Sequence, residues 1–341
     1  MRLLLAGFGN VGTTLASLLA DRDGHPGLAG LDATVVGITT GSHGAIANAL
    51  GLDLAAALES FRAYGAFAAD HPDRADLDTP AAVATLDYDV LVELSPLSVR
   101  GRGEPAIGHV RAALDRGRHV VTANKGPVAW AYRELSALAE RRGVLFRFEA
   151  AVMDGAPVFN LARHCLRGNR IERLEGVLNS TTNVVLEALA KGLDLQAAVA
   201  RAQMLGVAEA DPALDLDGWD AAVKLAALVN VLMDAELAPE VVARESVGSV
   251  TGERLAAAAA AGRVIKMVCA AERRGAGVAA SVRAVELARD HPLATAHGTS
   301  SVLRLLGDLV GTIVVAEEAP DLRTTAYGVI ADLFEVADRL D

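Results

Sequence analysis

Cysteine is close to absent. Cys165 and Cys269 are the two in a chain of 341 residues, and no CxxC pair occurs. That rules out a disulfide framework and a thiolate zinc site, and it fits a reducing compartment, the cytoplasm. An excess of basic charge is absent too. The 32 Lys and Arg face 43 Asp and Glu, for a formal net charge of −11. No cluster of Lys and Arg interrupts that balance, so nucleic acid and anionic membrane surfaces are not expected partners. No apolar run reaches the roughly 20 residues that a membrane-spanning helix needs. The stretch MRLLLAGFGNVG is apolar, but it breaks at glycine and lacks a cleavage region. It reads as a buried strand and not as a leader. No internal repeat is found. What remains, 52% hydrophobic and 22% charged residues, is globular, and the length allows two domains.

One stretch departs from this apolar background. Residues 209–224 hold five carboxylates (Glu209, Asp211, Asp215, Asp217, Asp220) and Lys224. A helical run over 197–205 meets Gly206, which can take the left-handed conformation that stops a helix. Pro212 keeps the chain out of helix. After Gly218 a strong helical pattern resumes, and Asp220 and Lys224, four apart, share one face of it. Three uses fit by type. A solvated acidic loop with a surface ion pair is one. A calcium loop is the second, and it fails: with Gly218 at the sixth position, the first and twelfth fall on Ala213 and Lys224, which are no ligands. The third is a substrate site, where carboxylates hold a cationic amine and a lysine transfers a proton. The stretch alone leaves the first and third open.

The chain start points to a nucleotide. An apolar run over 2–6 leads into Gly7-Phe8-Gly9-Asn10-Val11-Gly12, and a helix is expected over 13–21. This is GxGxxG between strand and helix, where glycines let the backbone approach a pyrophosphate seated on the helix N-terminus. The next strand, 33–38, should select the cofactor. An acid at its end would hold the ribose 2′-OH of NAD. Thr39, Thr40, Gly41, Ser42 and His43 stand there instead. No acid repels a 2′-phosphate, and no arginine is nearby to grip one. The reading leans to NADP, with NAD use left open.

Further strands and helices alternate. A helix is expected over 46–62, a Pro-containing loop over 71–80 and a strand over 89–94 running into Ser95. A helix over 105–116, a strand over 119–122, a helix over 135–142 and a strand over 144–149 follow. Lys125 lies at the carboxyl end of a parallel strand, where ligands bind in open α/β sheets, with an ordinary loop lysine as the alternative. The alternation predicts an α/β, Rossmann-type doubly wound parallel sheet over 1–150. From about Ala150 the pattern changes. Helix over 160–166, strand over 170–178, and strands over 263–271, 279–287 and 300–315 predict an α+β domain over 151–310. Ser180 or Thr181 is expected to cap the helix that opens after Asn179. A segment over 311–341, with a helix over 324–340, is expected to pack back on the first domain.

With these residues in view, the chain resembles the homoserine dehydrogenases, in the short form without a C-terminal regulatory domain. Gly206 to Pro212 running on to Asp217-Gly218-Trp219-Asp220 and Lys224 matches the family's most specific stretch. Asn179-Ser180-Thr181-Thr182-Asn183 resembles its NGTTN, residues 122–127 its lysine motif, and 149–157 its EAxVxxGxP turn. The resemblance implies NAD(P)-dependent interconversion of L-aspartate 4-semialdehyde and L-homoserine, in threonine and methionine biosynthesis. It implies Lys224 as proton donor and acceptor, with Asp220 and Lys125 beside it in catalysis. Glu209, Asp215 and Asp220 would bind substrate. Gly7 to Gly12, Thr39, Ser95, Lys125 and Gly206 would contact cofactor. Glu149, Val152 and Asp154 resemble a site for a monovalent cation, Na or K. A homodimer through the second domain is implied. Residues 317–321, before Thr325-Ala326, stand where the family usually carries a glycine-rich stretch. Two rival readings keep the fold: an oxidoreductase for another amino-acid-derived aldehyde, and a non-catalytic nucleotide-sensing subunit.

Overall fold

A computed structural model describes residues 1–340, and every side chain among them except that of Asp23. Residues 1–155 with 321–340 form one compact unit, and 156–320 form another.

The first unit is built on seven strands: β1 (Arg2–Ala6), β2 (Thr34–Thr39), β3 (Ala45–Ala47), β4 (Arg74–Ala75), β5 (Val90–Glu93), β6 (His119–Thr122) and β7 (Phe146–Arg147). Their order in the sheet is β4-β3-β2-β1-β5-β6-β7. The five from β2 to β7 run parallel, and β3 and β4 add on antiparallel at one edge. β5 and β6 are buried along their whole length, as a parallel sheet covered on both faces requires. The chain leaves β1 toward β2 on one side and returns to β5 on the other. That reversal opens a crevice at the carboxyl ends of β1 and β5.

Helices α1 (Asn10–Ala20), α2 (Leu54–Tyr64), α3 (Thr79–Thr85), α4 (Ala106–Asp115) and α5 (Lys125–Arg142) flank the strands. The expected doubly wound sheet is present, with local corrections. Residues 46–62 are not one helix: β3 forms first, because Ile46 and its neighbours pair with β2, and Asp53 then starts α2 by accepting from the amides of Ala55 and Ala56. Within 71–80 a short β4 pairs with β3, and Asp78 caps α3. Helix α5 starts ten residues before the expected 135, since Asn124 accepts from Gly126 N and caps it. Lys125 is therefore the first residue of a helix.

The second unit opens with α6 (Val158–Asn160), which runs into a wide turn over Leu161–Cys165. Its strands are β8 (Ile171–Val177), β9 (Ala243–Arg244), β10 (Arg263–Arg274), β11 (Gly277–Ala288), β12 (Ser301–Gly307) and β13 (Gly311–Glu317), ordered β13-β12-β8-β10-β11-β9. Pairing is antiparallel except between β11 and β9, so the sheet is mixed. Helices α7 (Ser180–Leu189), α8 (Leu195–Met204), α9 (Ala213–Leu216), α10 (Trp219–Leu232) and α11 (Gly252–Ala260) belong to this unit. Most of α10 is buried, from Ala221 to Asn230 with Lys224 half-buried among them. Residues 311–317, expected to leave with the C-terminal segment, pair along β12 from Gly307 opposite Gly311 to Ser301 opposite Glu317. A tight turn over 308–310 keeps them in this sheet.

The last helix, α12 (Leu322–Leu340), returns to the first unit. Its apolar face, Ala326, Val329, Ile330, Leu333 and Val336, joins Leu3, Leu5, Leu15 and Leu19 in one core. Among the described residues no helix is long and apolar enough to cross a membrane.

Candidate active site

The turn after β1 is shaped for a bound anion. Gly7 has φ +115 and donates its amide to Thr39 O. A Cβ on it would stand 2.5 Å from Leu94 O, and one on Gly12 would stand 2.7 Å from Gly7 O, so neither position has room for a side chain. Gly9 differs: nothing lies within 4 Å of where its Cβ would be. It begins α1 with no side-chain cap, and the first turn carries no acid. The start of α1 thus has no side-chain anion of its own, which suits a phosphate. Asn10 is exposed and Val11 half-buried in this turn. The ring of Phe8 is no contact surface. It is buried against Phe61 and Phe67, with centroids 5.1 and 5.4 Å away. Thr39 is likewise buried, and its hydroxyl pairs with that of Thr79 at 2.9 Å.

Beyond β2 the loop 40–44 folds on itself. Thr40 Oγ1 donates to Gly44 O and accepts from His43 N. Arg74, from β4 at the sheet edge, lies against this loop. Its Nη1 would be 1.9 Å from a Cβ on Gly44, and it donates to Phe67 O. The expectation that no arginine stands near this loop is thus wrong in space, because β3 and β4 fold 30 residues of chain back beside β2.

Ser95 and Lys125 sit at the carboxyl ends of adjacent strands. Both are half-buried. A lysine at the first position of a helix works against the macrodipole, so local helix energetics give no reason for Lys125. Glu149 is buried at 2% exposure, and its amide donates to Asp332 of α12. Asp154 takes φ +44, accepts from Thr325 Oγ1, and presses its carbonyl on Gly328. With Val152 this turn offers oxygen donors, and among the described residues no group of three or more His, Cys, Asp or Glu is placed to hold a metal ion.

The second unit gathers the acids. Asn179 Nδ2 donates to Asp215 Oδ1 at 2.7 Å and to Asp220 Oδ2 at 2.9 Å. Thr181 Oγ1 donates to the other oxygen of Asp215 at 3.0 Å. Lys224 Nζ lies 3.6 Å from Asp220 and donates to Leu178 O at 2.6 Å. Burial pushes the Asp215 carboxyl above the usual aspartate range, and the charge of Asp220 pushes the same way; Asn179, Thr181 and Lys224 oppose both. Cys269, on β10 below, is held neutral by burial, which pushes its thiol up to about 12. Glu209 stays apart. Its side chain is exposed on the loop after Gly206, where Gln203 holds only its carbonyl. Gly206 itself has φ +70 and open space around it.

Sequence reasoning missed Asn179. The cap of α7 is Asn179, whose Oδ1 accepts from Thr182 N, and not Ser180 or Thr181. Its position before a serine and two threonines hid it, since all four are cap formers. Its other amide atom then bridges the acids. We expect Asn179→Ala to lower the unfolding free energy by about 1–2 kcal/mol in a denaturant titration. The Asp215 carboxyl should titrate higher still, because a hydrogen bond to its charged form is gone. Wild-type stability together with an unmoved Asp215 titration by NMR would contradict both roles.

Comparison with known proteins matches the two parts of the chain separately. Residues 7–149 match the family model of the homoserine dehydrogenase NAD binding domain, and residues 157–334 that of homoserine dehydrogenase. An NAD(+)-dependent homoserine dehydrogenase of Pseudomonas canavaninivorans is 35% identical, over 98% of this chain and 96% of its own. A homoserine dehydrogenase of Methanocaldococcus jannaschii is 33% identical over 98% of each. A hyperthermophilic archaeal homoserine dehydrogenase solved with NADPH superposes with a TM-score of 0.83 at 27% identity, covering 99% of this chain and 98% of its own. Two matched domains and relatives aligned from end to end show that this chain belongs to the homoserine dehydrogenase family, as an NAD(P)-dependent oxidoreductase.

Proposed function

We propose that the chain interconverts L-aspartate 4-semialdehyde and L-homoserine, with NADP preferred over NAD. The observation that carries this is the acid pair with its one lysine: Asp215 and Asp220 on a shared amide, and Lys224 3.6 Å from Asp220. Both proposed substrates carry an ammonium, and two carboxylates facing one lysine leave a negative balance that an ammonium fills. When bound, the nicotinamide cofactor supplies or accepts the hydride at the carbon that is aldehyde in one compound and alcohol in the other. Lys224 then gives a proton to the oxygen as its charge develops, or takes it back in the reverse direction. Asp220 and Leu178 O orient its ammonium for that task. Glu209 is exposed on its loop, and we assign it substrate binding and no proton transfer. Lys125 contributes a second cation at the cofactor side.

For the cation, Glu149 and the carbonyls of Val152 and Asp154 form a hard oxygen donor set that fits Na or K. The ion would pin the turn that leaves the first unit. A rise in melting temperature on titration with NaCl or KCl, and not with choline chloride, is the expected outcome; equal response to all three removes the site.

Support for NADP comes from Arg74. A guanidinium beside the β2 exit loop, with no acid in that loop, suits a 2′-phosphate. Arg74→Ala should raise the KM for NADPH about tenfold or more, the value of a charged hydrogen bond, and leave that for NADH within about twofold. Equal loss for both cofactors would end the assignment.

Lys224→Ala should lower turnover by about two to four orders of magnitude, the usual range for an acid–base group. The assay is loss of nicotinamide absorbance with aspartate semialdehyde, run beside a panel of other amino-acid-derived aldehydes. Near-normal turnover in the variant would remove Lys224 from the chemistry. Faster turnover of another aldehyde by the wild type would reassign the substrate.

A further inference from the structure

Glu93 ends β5 with 0% of its surface exposed. It lies one strand from the Gly-rich turn, at the carboxyl edge of the sheet, and nothing in the mechanism above uses it. Its Oε1 accepts from Ser95 N at 3.0 Å and from the Ser95 hydroxyl. Its Oε2 accepts from Thr122 Oγ1 at 3.0 Å. Thr122 Oγ1 in turn accepts from Asn124 N at 2.9 Å. Asn124 Oδ1 accepts from Gly126 N, and Asn124 Nδ2 donates back to Ser95 O at 3.0 Å. Four side chains thus close a ring. It ties the loop after β5 to the first turn of α5, where Lys125 stands.

We infer that Glu93 is a positioning residue for the nicotinamide cofactor, a buried carboxylate that fixes Ser95 and Lys125 relative to each other through Thr122 and Asn124. The inference rests on the reading that these two residues face the cofactor. Stability by itself does not favour a carboxylate at this place. Burial pushes the Glu93 carboxyl up to about 7, even though Ser95, Thr122 and Asn124 hold it down. Its charged form is therefore expensive in the fold, and a neutral side chain of the same shape would spare that expense. What the carboxylate offers is two acceptor atoms, one aimed at the loop after β5 and the other at the end of β6. A core leucine has none, and Ser95 N would then be left without its partner. The backbone joins these two exits at Ala123 N, which donates to Glu93 O at 3.2 Å; beyond it, side chains such as these tie Ser95 to the start of α5.

The test measures NADPH dissociation constants by nicotinamide fluorescence, with both KM values and kcat, for wild type, Glu93→Ala, Glu93→Gln and Thr122→Val. Glu93→Ala should weaken NADPH binding by about tenfold to a hundredfold, the scale of a misplaced binding group, with the aldehyde KM within about twofold. Glu93→Gln keeps an acceptor for Ser95 N and should recover most of the loss. Thr122→Val cuts the ring by removing the hydrogen bond to Oε2 while Glu93 stays in place, and should weaken NADPH several-fold. A merely structural role would lower the melting temperature and the active fraction, but a dissociation constant does not depend on the active fraction. If Glu93→Ala does not fold, Thr122→Val decides: unchanged NADPH affinity overturns the inference. Folded Glu93→Ala with wild-type NADPH affinity overturns it as well. A wild-type protein that binds neither NADPH nor NADH would overturn the function proposed above, a different result.

Discussion

Two carboxylates sharing one amide nitrogen set the chemistry of the second unit. Asp215 and Asp220 are 36 and 41 residues from Asn179, and both take a hydrogen bond from its Nδ2. Like charges at this distance oppose each other's ionisation, and burial adds to the effect. The raised Asp215 carboxyl is the result. Lys224 compensates one of the two charges. On an exposed helix an Asp–Lys pair at this spacing contributes about 0.3–0.5 kcal/mol. Here both side chains keep less than a fifth of their surface, 15% for Asp220 and 17% for Lys224, so water screens them poorly. The pair acts as one fixed dipole beside a second carboxylate. Two acids beside one lysine suit a cation.

The first unit suits the opposite charge. Its helices α2, α3 and α5 start on the side chains of Asp53, Asp78 and Asn124, which satisfy leading amides from within the chain. Helix α1 starts on Gly9, with no such cap and no acid in its first turn. The first unit thus has an uncapped helix start at α1, and the second gathers acceptors at Asp215 and Asp220. A nucleotide phosphate and a substrate ammonium have the matching signs. This is the physical content behind a family assignment that the matches establish separately.

Much of this was legible in the sequence. GxGxxG between an apolar run and a helix, and an Asp and Lys four apart after a dense acidic loop, are local patterns, and local patterns survive folding. Lys224, Asp220 and Asp215 do meet. What escaped was set by contacts distant in sequence. Arg74 comes to the β2 exit only because a three-residue β3 and a two-residue β4 fold back along the sheet edge, and strands so short leave no periodic signal. Glu93 reads in sequence as the last residue of a strand; the acceptors and donors that make it a hub come from the next strand, β6, and from Asn124. The place of the Phe8 ring was not legible either. It sits inside the GxGxxG motif, but its ring belongs to the core with Phe61 and Phe67.

The departure from the family pattern at 317–321 can be weighed the same way. Ala319 holds φ +45, in the left-handed region. A glycine adopts that conformation without strain, whereas an alanine there costs about 1–2 kcal/mol. Local anchors oppose the cost. Ser300 Oγ accepts from Ala319 N at 3.0 Å. One oxygen of Asp321 accepts from the amides of Arg323 and Thr324 and starts α12; these bonds, that of Thr324 first, hold its carboxyl below the usual range. The Ser300 hydrogen bond contributes about 1 kcal/mol against that cost, and the start of α12 fixes the chain just beyond. The segment keeps a glycine-like backbone without glycine, held by side chains on either side of Pro320. Its shape is a consequence of Ser300 and Asp321 as much as of residue 319 itself.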